Sequence, residues 1–151
     1  MKEISQLLWS AQGIDAVTAA TRTAPSAGAT HPLEVYLVVR KVEGLDEGIY
    51  HYNPKKHTIK MTSIKIPNLY YYNAPVFFFL TADYERTTKR YSTRGIRYVD
   101  IEVGHSAQNI HLQAISLGLG SFPIGAFDDD QIQEQLGIDE APLYIIPVGR
   151  I

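Results

Sequence analysis

Apolar residues at helical spacing open the chain. Ile4, Leu7, Leu8 and Ala11 predict a helix over residues 3–12, which Gly13 ends. From Ala19 to Pro32 the residues are small, polar and turn-rich, which predicts a loop. Three short strand-like runs follow, Leu33–Val39, Gly48–Tyr52 and Thr58–Thr62, split by glycine and Asn-Pro turns. Pro75–Thr81 has no polar alternation and reads as a strand buried on both faces. Residues 98–117 predict the strongest helix, with Ile101, His105, Gln108, Leu112 and Ile115 on one stripe and Gly118 and Gly120 closing it. A short strand is expected through Phe122–Ala126, then a helix over 129–136 opened by Asp128-Asp129-Asp130, then a last buried strand at Leu143–Val148. Strands mixed with helices around one long helix point to an α+β sandwich of sheet and helices.

Composition narrows the class. The 151 residues suit one domain with one core, and 45% apolar with 20% charged residues is globular rather than disordered. A net charge of -2 with no basic block argues against nucleic acid. Cysteine is absent, which excludes disulfides, thiolate catalysis and zinc-thiolate or cysteine-ligated iron–sulfur sites. The longest apolar run is about seven residues, Ala74–Leu80, against the roughly 20 that cross a bilayer. The first residues, MKEISQLLW, lack the apolar stretch of a signal peptide, so a cytoplasmic location away from membranes is expected. Ten tyrosines, with Tyr70-Tyr71-Tyr72 in a row, suit an interface, an aromatic-lined pocket or plain core packing.

Few side chains suggest chemistry of their own. His51 and His57 are six apart, as are His105 and His111, and on a helix that spacing is a turn of roughly 240°, so the second pair cannot converge on one metal. Ser26 and Ser106 lack a His–Asp context, and Gly-x-Ser-x-Gly is absent. The run Asp128–Asp130 suits a helix cap. Arg86, Lys89, Arg90, Arg94 and Arg97 form the densest basic cluster, either a solvated surface or a patch for a phosphate-bearing molecule. Two loops of small residues, Arg22–Ala29 and Gly118–Ala126, could lie close to a planar ligand, yet neither matches a dinucleotide or Walker phosphate loop.

Taken in order, the segments resemble the nitroreductase family, in particular its SagB-type dehydrogenase branch. The matching stretches are Leu7–Gly13, Arg22–Ala29 running into Pro32–Val39, Ala74–Asp83, Arg94–Tyr98, Glu102–Asp130 and Ile146–Arg150. The resemblance implies a nitroreductase-like α+β fold, with a mainly antiparallel central sheet packed by helices. It also implies a homodimer with FMN at the subunit interface, passing hydride between NAD(P)H or an organic substrate and the flavin. Carried over, Pro25, Ser26, Ala27 and Gly28 touch the isoalloxazine from the partner subunit. Pro123, Ile124 and Gly125 lie along the ring, with a backbone N–H near Gly125 directed to flavin N5. The Lys-Tyr proton-transfer pair of azole-forming members falls on Arg90-Tyr91. Arginine does not release its proton, which leaves Tyr91 as the candidate acid.

Relatives usually carry an Arg-rich, phosphate-binding segment ahead of the first helix. The expectation is a single domain over 1–151 without that segment. Two lost bonds at roughly 1.5–3 kcal/mol each weaken FMN binding by roughly 10²–10⁴, unless Arg22, Arg150 or the cluster at 86–97 replaces them. The alternative is a non-catalytic flavin-binding or interaction module that retains the fold.

Overall fold

The computed structural model describes residues 1–15, 17, 21–65 and 72–150. Ala19, Ala20, Tyr70 and Tyr71, named above for the loop and the tyrosine cluster, lie outside them. Among the described residues, six strands form one antiparallel sheet: β1 (Leu33–Val39), β2 (Gly48–Asn53), β3 (Thr58–Ser63), β4 (Val76–Ala82), β5 (Leu119–Ser121) and β6 (Ala141–Arg150). Their spatial order is β3-β2-β1-β4-β6-β5. β4 therefore sits between β1 and β6, and every one of its residues is buried.

Period-two alternation divides β1, β4 and β6 between two cores. Leu33, Val35, Leu37, Val39, Phe78, Leu80, Ile146 and Val148 face one layer, together with Leu7, Leu8, Val99, Val103 and Ile110. That layer is α1 (Lys2–Gln12) and α3 (Arg94–Ser116). Tyr36, Val38, Phe77, Phe79 and Ile145 face the other way, where Ile132 and Leu136 of α4 (Asp129–Leu136) cover them. Asp128 caps α4, accepting from the Gln131 N–H at 2.9 Å.

Three features depart from the sequence reading. The stripe Ile101, His105, Gln108, Leu112 and Ile115 is the outward face of α3: Ile101, Leu112 and Ile115 are 49%, 57% and 59% exposed. The buried face is the opposite one, Val99, Val103, Ala107, Ile110 and Ala114. The helix carries apolar residues on both sides, so spacing alone does not say which side meets the sheet.

The strand expected at Phe122–Ala126 is displaced to β5. Pairs 119↔150, 121↔148 and 124↔145 share one register, which sets Phe122 opposite Pro147. Proline has no N–H to donate, so the ladder lapses there and resumes only at Ile124. The third departure is α2 (Glu85–Tyr91), a helix the sequence reading left as a basic cluster. It has no apolar stripe and buries only Thr87. Its helicity comes from leaning on α3 and from a Glu85–Lys89 pair at 3.1 Å.

Phe78 is fully buried at the centre of this arrangement. Phe78→Ala is expected to cost about 3–5 kcal/mol of unfolding free energy, read from a denaturant titration.

Candidate functional site

The loop after α1 is built by a short ladder. Asp15 N–H donates to the Thr21 carbonyl at 2.8 Å and Thr23 N–H to the Gly13 carbonyl at 2.9 Å, around an Ile14–Arg22 bridge. This delivers Pro25–Gly28 onto α3. Asn109 Nδ2 donates to the Thr23 carbonyl at 3.1 Å, and His105 Nδ1 meets the Pro25 carbonyl at 3.4 Å. The Ser26 side chain faces the Glu102 carboxyl, and its hydroxyl accepts the His31 N–H at 3.0 Å. Residues 105 and 109 lie one turn apart on one side of a helix, so α3 holds the loop at two points.

Gly28 closes the loop over α2. Its φ of 58° lies in the left-handed region, and a Cβ there would collide with the Tyr91 hydroxyl and the Arg90 guanidinium. Arg90 Nη1 donates to the Gly28 carbonyl at 3.1 Å and stands 5.4 Å over the Tyr91 ring. Tyr91 packs edge-on against Tyr98 at 5.1 Å. The backbone favours glycine at 28, and a side chain there would have to displace the ends of Tyr91 and Arg90.

Gly125 differs. It is exposed, its φ is not left-handed, and a Cβ would meet only Tyr144, at an ordinary 3.6 Å. Among the described residues its N–H has no hydrogen-bond partner. Ile124 before it is anchored by paired bonds with Ile145, at 2.8 and 3.0 Å. Pro123-Ile124-Gly125 is thus a pinned turn with a free amide and open space above its glycine. A cavity of about 460 Å³ lies beside it, lined in part by Phe77, Ile124, Phe127, Gln131 and Ile145.

The two loops do not meet within one chain. Pro25–Gly28 rests on α2 and α3, on the side of the sheet that α1 and α3 cover, whereas Ile124 packs into the core on the other. The two candidate phosphate ligands are also apart. Arg22 Nη1 donates to Gln12 Oε1 at 2.9 Å, and Arg150 pairs with Glu3 at 3.2 Å. Gln12 and Glu3 sit at opposite ends of α1, about 14 Å apart at 1.5 Å per residue. In the basic cluster, Arg86 is bound to Glu34 at 2.7 Å and Asp83 at 3.3 Å.

Sequence reasoning missed the buried polar group beneath the first loop. Glu102 is 2% exposed, and among the described residues its Oε1 has no hydrogen-bond partner; the same holds for Nε2 of fully buried Gln12. Burial pushes the Glu102 pKa up to about 7, against smaller opposing effects of Ser26 and Arg22. The available signal was a carboxyl and Ser106 placed among Val99, Val103 and Ile110 on the core face of a helix. Ser106 donates to the Ala11 carbonyl at 2.8 Å, fastening α3 to α1.

One other polar cluster lies away from these loops. Ser5 Oγ lies 2.7 Å from His57 Nε2, and Tyr52 OH lies 2.8 Å from His57 Nδ1. Burial pushes the Tyr52 pKa up to about 12. A protonated phenol both donates and accepts, so the geometry suits either tautomer of His57.

The family model described as "Nitroreductase family" matches residues 1–150. The chain belongs to the nitroreductase family. The family member MJ1384 of Methanocaldococcus jannaschii is 44% identical over 160 residues, covering 99% of this chain and 80% of the relative. The trifolitoxin-processing protein TfxB of Rhizobium leguminosarum bv. trifolii is 30% identical over 133 residues, 78% of this chain and 36% of TfxB. Among solved structures, a nitroreductase-family protein of Ralstonia eutropha JMP134 superposes with a TM-score of 0.82 at 25% identity, covering 99% of this chain and 72% of that one. The antiparallel α+β sandwich is therefore the nitroreductase fold, and the family supports an oxidoreductase. No helix among the described residues is long and apolar enough to cross a membrane.

Two measurements probe the first loop and its support. Gly28→Ala is expected to raise proteolytic cleavage within 23–31 while leaving the core melt nearly unchanged, because only the loop must shift. Glu102 has its folded-state pKa raised from the ordinary 4.5 to about 7, so its neutral form is the one folding favours. Its contribution is complete below about 4.5 and is lost as pH rises toward 7. Glu34 acts oppositely, its pKa lowered by His51 and Arg86 against burial, so its contribution is lost only in acid. Denaturant titrations across this range are expected to show a decline that Glu102→Gln removes.

Proposed function

We propose that this chain is an FMN-dependent oxidoreductase acting as a homodimer, with NAD(P)H or a small organic molecule as the partner in electron exchange. The observation that carries the reading is Gly125, a glycine that neither backbone conformation nor packing requires, beside an unpartnered N–H on a rigid turn. Such a position suits the close approach of a flat ligand. The residues fit the ring: Pro123, Ile124 and Gly125 would lie along one side, and Pro25, Ser26, Ala27 and Gly28 of a second copy would close the other. When bound, FMN supplies two-electron chemistry that no side chain here can perform.

A site shared by two copies accounts for the separation of the two loops within one chain. The outward stripe of α3, with Ile101, Leu112 and Ile115, gives the copies an apolar surface, and half-exposed Trp9 extends it beside Leu112. Tyr91, its hydroxyl against the Pro25–Gly28 loop, is the candidate proton donor. Arg90, fully charged, would orient rather than exchange protons. For the phosphate, Arg22 beside the first loop and Arg150 are the candidates. Arg150 would give up only an exposed pair with Glu3, worth about 0.2–1 kcal/mol. Similarity to TfxB supports a SagB-type dehydrogenase acting on an organic substrate.

The protein supplemented with FMN is expected to be yellow and to bleach with NADH or NADPH. Failure to bind FMN at ~100 μM, which probes interactions as weak as about 5.5 kcal/mol, would refute the flavin reading. A yellow protein that nicotinamides leave oxidised favours the organic-substrate dehydrogenase or a non-catalytic flavin-binding module. Gly125→Val is expected to abolish flavin binding with no loss of fold, since the Tyr144 side leaves room. Leu112→Asp is expected to shift the mass measured by light scattering from dimer to monomer.

A further inference from the structure

We propose that Arg90, Arg94 and Arg97 form a phosphate subsite at the rim of the Pro25–Gly28 loop, which takes the 2′-phosphate of the nicotinamide donor and makes NADPH the preferred reductant over NADH. The inference rests on the reading above in bringing a nicotinamide to the flavin beside that loop.

The basic cluster divides once its ion pairs are known. Arg86 is committed to Glu34 and Asp83, and Lys89 to Glu85 one turn back. Arg90, Arg94 and Arg97 are exposed and, among the described residues, pair with no carboxylate. Asp100, the acid one turn beyond Arg97, accepts the Tyr84 hydroxyl at 2.6 Å. Helix electrostatics account for part of the cluster only. Lys89 and Arg90 lie in the last turn of α2, where the dipole favours cations. Arg94 and Arg97 lie in the first turn of α3, where it disfavours them, and neither an acidic residue nor a side-chain cap offsets them there. Stability of the fold therefore does not explain these two charges.

Packing fixes the arginines relative to the loop. A Cβ on Gly95 would meet the Thr88 backbone at 2.9 Å, so α3 starts in close contact with α2. Tyr91, under Arg90, stands edge-on to Tyr98 at 5.1 Å. At about 100° per residue, Arg94, Tyr98, Ile101 and His105 share one flank of α3, and Arg97 borders it. His105 meets the Pro25 carbonyl at 3.4 Å, and Arg90 donates to the Gly28 carbonyl at 3.1 Å. The flank thus runs from the loop to Arg94, roughly 16 Å along the helix at 1.5 Å per residue. An extended dinucleotide with its nicotinamide beside the loop would bring its ribose phosphate to the arginines.

The chemistry suits that ligand. A guanidinium presents paired N–H donors to phosphate oxygens and keeps its charge at any working pH. Exposed arginines suit a donor that comes and goes, whereas Arg22, half-buried and fixed to Gln12, suits a resident phosphate. NADPH differs from NADH only by the 2′-phosphate, so charge at this rim separates the two without touching hydride transfer.

NADP⁺ and NAD⁺ test this, because they differ by the same phosphate. Titrated into the intact chain, with and without FMN, NADP⁺ is expected to bind about tenfold or more tighter than NAD⁺ in calorimetry. The double variant Arg94→Gln, Arg97→Gln is expected to remove that difference while leaving NAD⁺ affinity, FMN affinity and light-scattering mass unchanged. Lys89→Gln, which deletes a neighbouring charge that is already paired, is expected to keep it. Equal binding of the two dinucleotides by the wild type, or binding of neither, overturns the proposal. So does a preference that survives the double variant or vanishes in Lys89→Gln. A double variant that loses affinity for FMN but not for riboflavin assigns the arginines to the flavin phosphate, and one that becomes monomeric assigns them to carboxylates of a second copy; either overturns it. Should the double variant not fold, amide shifts in the wild type must confine the difference between NADP⁺ and NAD⁺ to residues 90–97, and a difference elsewhere overturns it equally. A chain that binds no FMN yet prefers NADP⁺ refutes the cofactor reading and keeps this one; a yellow chain with no preference does the reverse.

Discussion

Burial of β4 on both faces governs the architecture. A strand with no polar face can be accommodated only in the interior of a sheet that is covered twice, and β1 and β6 supply its backbone partners while α1 and α3 cover one side and α4 the other. The consequence reaches the candidate site. The segment leading out of α1 must end on the α3 side, and the segment leading out of β5 toward α4 must end on the other. One chain therefore presents the two candidate loops on opposite sides of its own sheet.

α3 turns that division into usable surfaces. Its core face is apolar enough to pack, yet Glu102 and Ser106 interrupt it; Ser106 fastens α1, and His105 and Asn109 hold the first loop at Pro25 and Thr23. Its outward face carries the unpartnered isoleucines and leucine. The glycines of the two candidate loops separate along the same lines. Gly28 has a left-handed φ with the Tyr91 and Arg90 side chains against it, whereas Gly125 has neither. Fold-required and ligand-suited glycines look identical in a sequence and differ only in what surrounds them.

Much of this was legible beforehand. Strand β1 falls on the expected residues, α1 and α4 within one, and the unalternating run at 75–81 is the doubly buried strand. Order and spacing of several motifs were enough to indicate the family. What misled did so for identifiable reasons. Two apolar stripes compete on α3, Pro147 breaks a ladder from a position far along the chain, and α2 forms by contact with α3 despite lacking a pattern of its own. Arg22 and Arg150 looked like interchangeable phosphate ligands, but their partners stand at opposite ends of α1.

The chain's own order of residues determined where apolar segments begin and end, which of them could be fully buried, and which turns carry small residues and proline. Those are local properties, fixed by periodicity and by the backbone limits of glycine and proline. Only the tertiary structure decided which face of α3 meets the sheet, that the two small-residue loops lie on opposite sides of it, and that Glu102 is buried on the core face of α3. Each of these depends on contacts between residues tens of positions apart. Burial and electrostatics at such contacts are set by the shape of the assembled chain, and no spacing rule along the sequence encodes them.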